Sequence, residues 1–285
     1  MNPYLELLGE SYSKTSSMLC LGMDPVLERM KIDSSRNLAD EIVSFFVKLL
    51  EATKTLVSAV KPNVAFYYQY GFDGIRALAE LMKRVKSFGI PIVVDAKNAD
   101  IGRTSAAYAK WVFDLLGGDA VTLNPYMGYD SLEPFFVYRR KGFYVLALTS
   151  NQGARDLQLA AMADGRFLYE RALEKICSWG RMRIAGSNGS DASIGAVLGA
   201  TQEQFSSCVE SLSRGGYAIP LLVPGVGAQG GSYRDAESTL ERAGYVKEIV
   251  RVNVSSAISY AHEQYPNLRF DEAAAKAAEE ILRSR

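Results

Sequence analysis

Histidine is almost missing: His262 stands alone among 285 residues. That scarcity argues against a Ser-His-Asp triad and against a zinc site built on imidazoles. Cysteine is sparse as well. Cys20, Cys177 and Cys208 are odd in number and carry no metal-type spacing, the pattern of reduced thiols in a cytoplasm. No apolar run approaches the ~18 residues that a membrane span needs, so no membrane partner is expected. The opening residues, MNPYLELLGESYSK, lack a basic stretch followed by an apolar core, so no secretion signal is expected either. An excess of charge of either sign is also absent. Thirty-two basic residues balance 32 acidic ones, and without a basic tract a nucleic-acid backbone is not an expected partner. Nor does any low-complexity linker split the chain. These absences leave a cytoplasmic protein, expected to form one domain over residues 1–285 with an N-terminal helical segment, 1–16, ahead of the first strand.

What is present is alternation. The runs SMLCLGMD (17–24), LVSAVKPN (56–63), IPIVVDAK (90–97) and AVTLNPY (120–126) have the length and β-branched content of buried parallel strands. So do YVLALTS (144–150), SIGAVLGA (193–200), IPLLVPG (219–225) and VKEIVRVN (246–253). Between them lie amphipathic patterns such as LADEIVSFFVKLLEAT, YGFDGIRALAELMKRVKSFG, TSAAYAKWVFDLLG and TQEQFSSCVESLSRGG, several stopped by glycine. Length and a hydrophobic content of 48% allow either one large α/β barrel or two smaller domains. Eight strands separated by helices decide for the α/β class and a (β/α)8 TIM barrel. The segment AGSNGSDAS (185–193) reads as a loop before the sixth strand.

A barrel places its working groups where strands end and loops begin. The strand ends here supply Asp24, Lys61, Asp95 with Lys97, Asn124, Thr149 with Ser150, and Asn253 with Ser255 and Ser256. The third of these, IVVDAKNADI, runs from buried apolar residues straight into charge, which is costly to desolvate unless partnered. Residues two apart on a strand face the same way, so Asp95 and Lys97 are expected to share one space. Asp100, just into the loop, is within reach of that strand end or of a neighbouring subunit. One reading is a structural ion-pair network. Lys61 and Asp24 at two other strand ends favour the other, a charged cavity. Schiff-base chemistry at Lys61 or Lys97 needs a lysine of depressed pKa, and carboxylates alongside favour an ammonium that acts as a general acid. The glycine-rich PGVGAQGGS (224–232), after the seventh strand, stands where barrels cradle phosphate on loop amides.

These motifs together resemble a known family. DAKNADIG resembles the Asp-x-Lys-x-x-Asp signature of orotidine 5′-phosphate decarboxylases, and LGMDP, KPNVAFY and PGVGAQGG resemble its companion motifs. NPYMGYDSLEPF and LALTSNQGARDLQ are similar to the longer bacterial subgroup, type 2, and the likeness runs from about residue 17 to 262. The resemblance implies a homodimer with shared active sites that converts orotidine 5′-monophosphate to UMP and CO2 without metal or organic cofactor. It makes Lys97 the acid that protonates carbon 6, and it sets Asp95 against the departing carboxylate. Lys61 links the charges and contacts the ribose, and Asp24 binds the ribose hydroxyls. Asp100 completes the network from the partner subunit, with Ile101 lining the pocket and Thr104 near the ribose. Ser150 reads the pyrimidine edge, Gln229 bridges base and phosphate, and amides near Gly227 and Gly230 meet the phosphate. Asn124 joins the substrate-binding set from its strand end.

Departures are few. Ser256 stands where the family carries a phosphate-binding arginine, and Arg251, Arg234 and Arg155 are the candidate replacements. Asn98 and Ala99 replace a frequent Arg-Gly pair, and Gln152 a frequent proline. The signature alone also fits a related sugar-phosphate decarboxylase or synthase of the same barrel superfamily, and Ser256 leaves room for a catalytically silent nucleotide-binding homologue. Tyr67, Tyr68, Tyr70, Trp111 and Trp179 read as helix packing, His262 as a core or surface residue, and Cys20 as a small apolar filler.

Overall fold

The computed structural model describes residues 2–33, 35–186, 193–227 and 229–283. The eight apolar runs become eight strands: β1 (Leu19–Gly22), β2 (Ala59–Lys61), β3 (Val93–Asn98), β4 (Ala120–Leu123), β5 (Gly142–Leu148), β6 (Ile194–Leu198), β7 (Leu221–Val223) and β8 (Val250–Val254). They hydrogen-bond in the order β2-β1-β8-β7-β6-β5-β4-β3, every pairing parallel. Parallel bridges Val60↔Ile92 and Asn63↔Asp95 join the two ends of that order and close the barrel. Helices lie between the strands, as a parallel sheet requires. The helix Leu38–Thr53 shows why: Asn37 caps it by accepting from the Ala39 and Asp40 amides, and Asp40 and Glu41 occupy its first turn. Its Ile42, Phe45, Phe46, Leu49 and Leu50, spaced three and four apart, are buried in the main core, where Phe45 stacks on Phe270.

Strand alternation then sorts the side chains into two sets. Val94, Val121, Phe143, Val145, Leu198, Leu221, Val223, Val250 and Val252 point outward into the large core shared with the helices. Val93, Ala120, Tyr144, Val197 and Leu222 point inward and form a separate cluster with Tyr4 and Leu8 of the helix Pro3–Thr15. That helix plugs the amino-terminal end of the barrel. The Tyr4 hydroxyl donates to the Tyr144 hydroxyl at 2.8 Å, and Ser11 donates to the Ser58 carbonyl at 2.7 Å. Arg251 completes the plug. It is fully buried, and its guanidinium donates to the carbonyls of Leu8, Ser58, Glu248 and Val250 at 2.6–3.2 Å. Burial lowers its pKa from the ordinary arginine value. Arg251 is therefore spent at the closed end of the barrel and cannot serve the open one.

Several boundaries depart from the sequence reading for local reasons. β4 ends at Leu123, because Asn124 caps a 3₁₀ turn, Pro125–Met127, whose proline cannot continue the ladder. β8 begins at Val250, after a 3₁₀ turn at Lys247–Ile249. The pattern TSAAYAKWVFDLLG divides into an α-helix, Gly102–Lys110, and a π-turn, Trp111–Leu115. Trp111 is only half-buried, its ring 5.9 Å from that of Tyr68, which is exposed. Tyr67, Trp179, His262 and Cys20 are buried as expected. Most of the expected 185–193 loop lies outside the described residues. Among the described residues no helix is long and apolar enough to cross a membrane.

Replacing Arg251 with alanine would strand four buried carbonyls and open a cavity. The expected loss of stability, by chemical denaturation, is about 3–5 kcal/mol. A loss under about 1 kcal/mol would show that the plug does not depend on it.

Candidate active site

At the carboxyl end the inward positions turn polar. Lys61 closes β2, Asp95 and Lys97 belong to β3, Thr122 to β4 and Asn253 to β8. The Asp95 carboxylate is their common point. Its Oδ2 accepts from Lys61 Nζ at 2.7 Å, and its Oδ1 accepts from Lys97 Nζ at 2.6 Å and from Thr122 Oγ1 at 2.8 Å. Asp95 and Lys61 are both about 5% exposed (6% and 5%), whereas the Lys97 side chain is 48% exposed. Burial opposes the charge on Asp95, but Lys61 and Lys97 outweigh it and hold the carboxyl well below its usual range. Burial also works against the Lys61 ammonium, and Asp95 and Asp24 overcome it, so its pKa lies above that of an ordinary lysine.

The sequence reading placed Asp95 and Lys97 together by strand alternation; the structure does so differently. The β3–β4 register shifts between Val94 and Asn98, and Lys97 adopts φ +47°, a left-handed conformation rare for a residue with a Cβ. Its amide donates to Thr122 Oγ1 at 2.9 Å. Thr122 thus fixes both the backbone of Lys97 and the carboxylate that faces its amine. Backbone strain of this kind persists only where the surroundings hold it, and it is concentrated at functional sites.

A cavity of about 650 Å³ opens above this cluster. Of the expected residues, Lys61, Asp95, Lys97, Asp24, Ser150 and Gln229 line it. Asp24 Oδ1 accepts from the Asn63 amide at 3.1 Å, which ties the ends of β1 and β2. Ser150 is set by its neighbours: a Cβ on Gly199 would come within 2.7 Å of its backbone, so only glycine permits that approach. Gln158 holds the preceding residue, accepting from the Thr149 amide and donating to the Thr149 hydroxyl, both at 2.7 Å.

The remaining expected residues are not brought to this chain's own cavity. Asp100 accepts from the Ile101 amide at 2.8 Å, and Ile101 and Thr104 are exposed beside it on the outer surface. Asn124 is turned away; its side chain caps the Pro125–Met127 turn and lines a neighbouring cavity. The Gly227 and Gly230 amides are occupied within their own loop, donating to the Gly231 and Gly227 carbonyls at 3.0 and 2.8 Å. Arg234 and Arg155 do not line the cavity. Sequence reasoning missed Thr122, whose signal was a hydroxyl at an inward position of an apolar strand. It also undervalued Asn253, whose Oδ1 is buried on the cavity wall with no hydrogen-bond donor.

A carboxylate clamped by two ammonium groups thus stands at the open end of a (β/α)8 barrel, where enzymes of this fold carry their working groups. The family model "Orotidine 5′-phosphate decarboxylase / HUMPS family" matches residues 17–268, and the chain belongs to that family. A Roseiflexus castenholzii protein named orotidine 5′-phosphate decarboxylase is 41% identical over 260 residues, covering 90% of this chain and 89% of its own. The solved Leishmania donovani OMP decarboxylase is 32% identical with a TM-score of 0.74, over 98% of this chain and 97% of that one. The same organism's UMP synthase is 34% identical with a TM-score of 0.76; the match covers 97% of this chain and 55% of the synthase.

The ion pairing sets a pH window for stability. Asp95 is depressed, so its contribution is complete above the unfolded carboxylate value of about 3.9 and is lost as pH falls below it. Lys61 is raised, so its contribution is complete below about 10.4 and is lost as pH climbs through the folded value. The stability gap between the wild type and Asp95→Asn, followed by denaturant titration, should shrink as pH falls below about 4. A gap unchanged at acid pH would mean that Asp95 is not held ionised by these lysines.

Proposed function

We propose that Lys97 is the acid that completes the decarboxylation of orotidine 5′-monophosphate to UMP, the pyrimidine-biosynthesis reaction for which the family is named. The chain is a carboxy-lyase. The bond between carbon 6 and the substrate carboxylate breaks, CO2 leaves, and the electron pair stays on carbon 6. That pair has no obvious sink in the ring, so a positive charge must already be beside it. The Lys97 ammonium, held 2.6 Å from Asp95 and half exposed to the cavity, is the observation that carries this reading. It stabilises the developing carbanion with little reorganisation and then transfers a proton to it, leaving a neutral amine that solvent reprotonates. Asp95 faces the departing carboxylate and favours its loss. Lys61, locked to Asp95 from the next strand, keeps that carboxylate in place and reaches the ribose.

The other roles follow the cavity wall. Asp24 takes the ribose hydroxyls, Ser150 the pyrimidine edge, and Gln229 spans base and phosphate. Asp100, Ile101 and Thr104 act on the active site of a second copy, in a homodimer. Two observations support that: none of the three lines its own cavity, and the segment that follows β3 leaves the large apolar side chains Ile101, Tyr108 and Leu115 exposed. The three thiols, all buried and free, fit a cytoplasmic enzyme.

An assay of orotidine 5′-monophosphate loss in EDTA tests the reading. The wild type should turn over undiminished, and Lys97→Ala should lose about 1,000-fold or more while melting normally. Near-normal turnover in the variant would reject Lys97 as the acid. Mixed dimers of Lys97→Ala and Asp100→Ala subunits should regain activity, because one of their two sites is then unmutated; mixed dimers as inactive as their parents would rule out a shared site.

A further inference from the structure

Two of the three cations on the cavity wall are engaged at the reacting end, because Lys61 and Lys97 both contact Asp95. The third is Arg29, at the end of the 3₁₀ turn Leu27–Arg29 that follows β1. Its Nε and Nη2 donate to the Glu263 carboxylate at 2.8 and 2.7 Å, and its guanidinium carbon lies 4.3 Å from the centre of the Tyr260 ring. This clamp fixes the plane of the guanidinium. Among the described residues it leaves Nη1 without an acceptor.

The turn is fastened to the chain that follows β8. The Val26 amide donates to the Tyr260 hydroxyl at 2.8 Å, that hydroxyl donates to the Asp24 carbonyl at 2.7 Å, and Ser259 donates to the Gly22 carbonyl at 3.0 Å. Gly22 approaches Ser255 so closely that a Cβ would lie 1.8 Å from its hydroxyl oxygen. Arg29 is thereby held on the same wall as Ser255 and Ser256, in a cavity that Gln229 enters from the loop after β7. Barrels bind phosphate in this quarter, between the seventh and eighth strands. Here three glycine amides of that loop are already taken: Gly227, Gly230 and Gly231 donate to the carbonyls of Gly231, Gly227 and Gly225. Among the described residues, a dianion entering the quarter meets the side chains of Gln229 and Ser256 as neutral donors, and Arg29 as the one cation not committed to Asp95.

We propose that Arg29 is the phosphate anchor of this enzyme, the residue that makes a nucleoside 5′-monophosphate bind better than its nucleoside. The proposal deepens the decarboxylase reading and rests on it. Nη1 donates to a phosphate oxygen while Glu263 holds the other edge of the guanidinium, and charge-assisted contacts of this kind are among the stronger hydrogen bonds.

Titration calorimetry of the full chain with UMP and with uridine tests the assignment. Arg29→Ala should weaken UMP about 10- to 100-fold and leave uridine unchanged. Arg166→Ala removes another surface arginine–carboxylate pair, one away from this cavity, so its preference for UMP should stay within a few-fold of wild type. Equal weakening of both ligands, no weakening, or an Arg166→Ala loss as large as that of Arg29→Ala would overturn the proposal. Absence of orotidine 5′-monophosphate turnover by the wild type would instead overturn the decarboxylase reading, and the UMP-to-uridine ratio would still decide Arg29.

Discussion

The Asp95 carboxylate sits where it could not remain ionised alone, and the lysine beside it could not either. Desolvating either charge costs several kcal/mol, and each is tolerated because the other is within 2.7 Å. That mutual requirement fixes the ends of β2 and β3 against each other, where the strands themselves meet only through isolated bridges at Val60↔Ile92 and Asn63↔Asp95. Thr122 extends the constraint to β4 and holds Lys97 in its left-handed conformation. The same contacts that close the barrel seam therefore aim an ammonium into the cavity.

The barrel axis carries a gradient from closed to open. At the amino-terminal end Tyr4 and Leu8 fill the interior, and Arg251 satisfies its donors on four carbonyls without any carboxylate. At the carboxyl end the inward positions are Lys61, Asp95, Thr122 and Asn253, and a cavity opens above them. The two buried cations illustrate different solutions to the same cost. Arg251 spreads its charge over fixed dipoles at a site that never changes. Lys61 is balanced by one carboxylate on the wall of an open cavity.

Much of the architecture was legible in the residues. Eight apolar runs became eight strands, because a buried parallel strand tolerates almost nothing else, and the helix Leu38–Thr53 has the bounds its apolar spacing implies. The charged strand end was legible for the same reason: Asp95 and Lys97 break an apolar run that gives no structural cause for breaking. Lys61, Asp24, Ser150 and Gln229 were found through their positions at strand ends and through family motifs. The reading fell short where a role depends on orientation. Asn124 stands at a strand end but turns back to cap Pro125–Met127, and the amides of Gly227 and Gly230 bond within their loop. Arg29 carried no signal, since one arginine in a turn resembles any other until the chain after β8 folds over it.

The sequence by itself determined the barrel, the order of its elements and the residue types at its open mouth, because periodicity and burial are properties of short segments. Tertiary structure alone decided which of those polar groups meet. Whether an arginine plugs the base, as Arg251 does, or is clamped at the rim, as Arg29 is, depends on contacts between residues more than 190 positions apart. No local pattern encodes such contacts, because they exist only once the strands have closed.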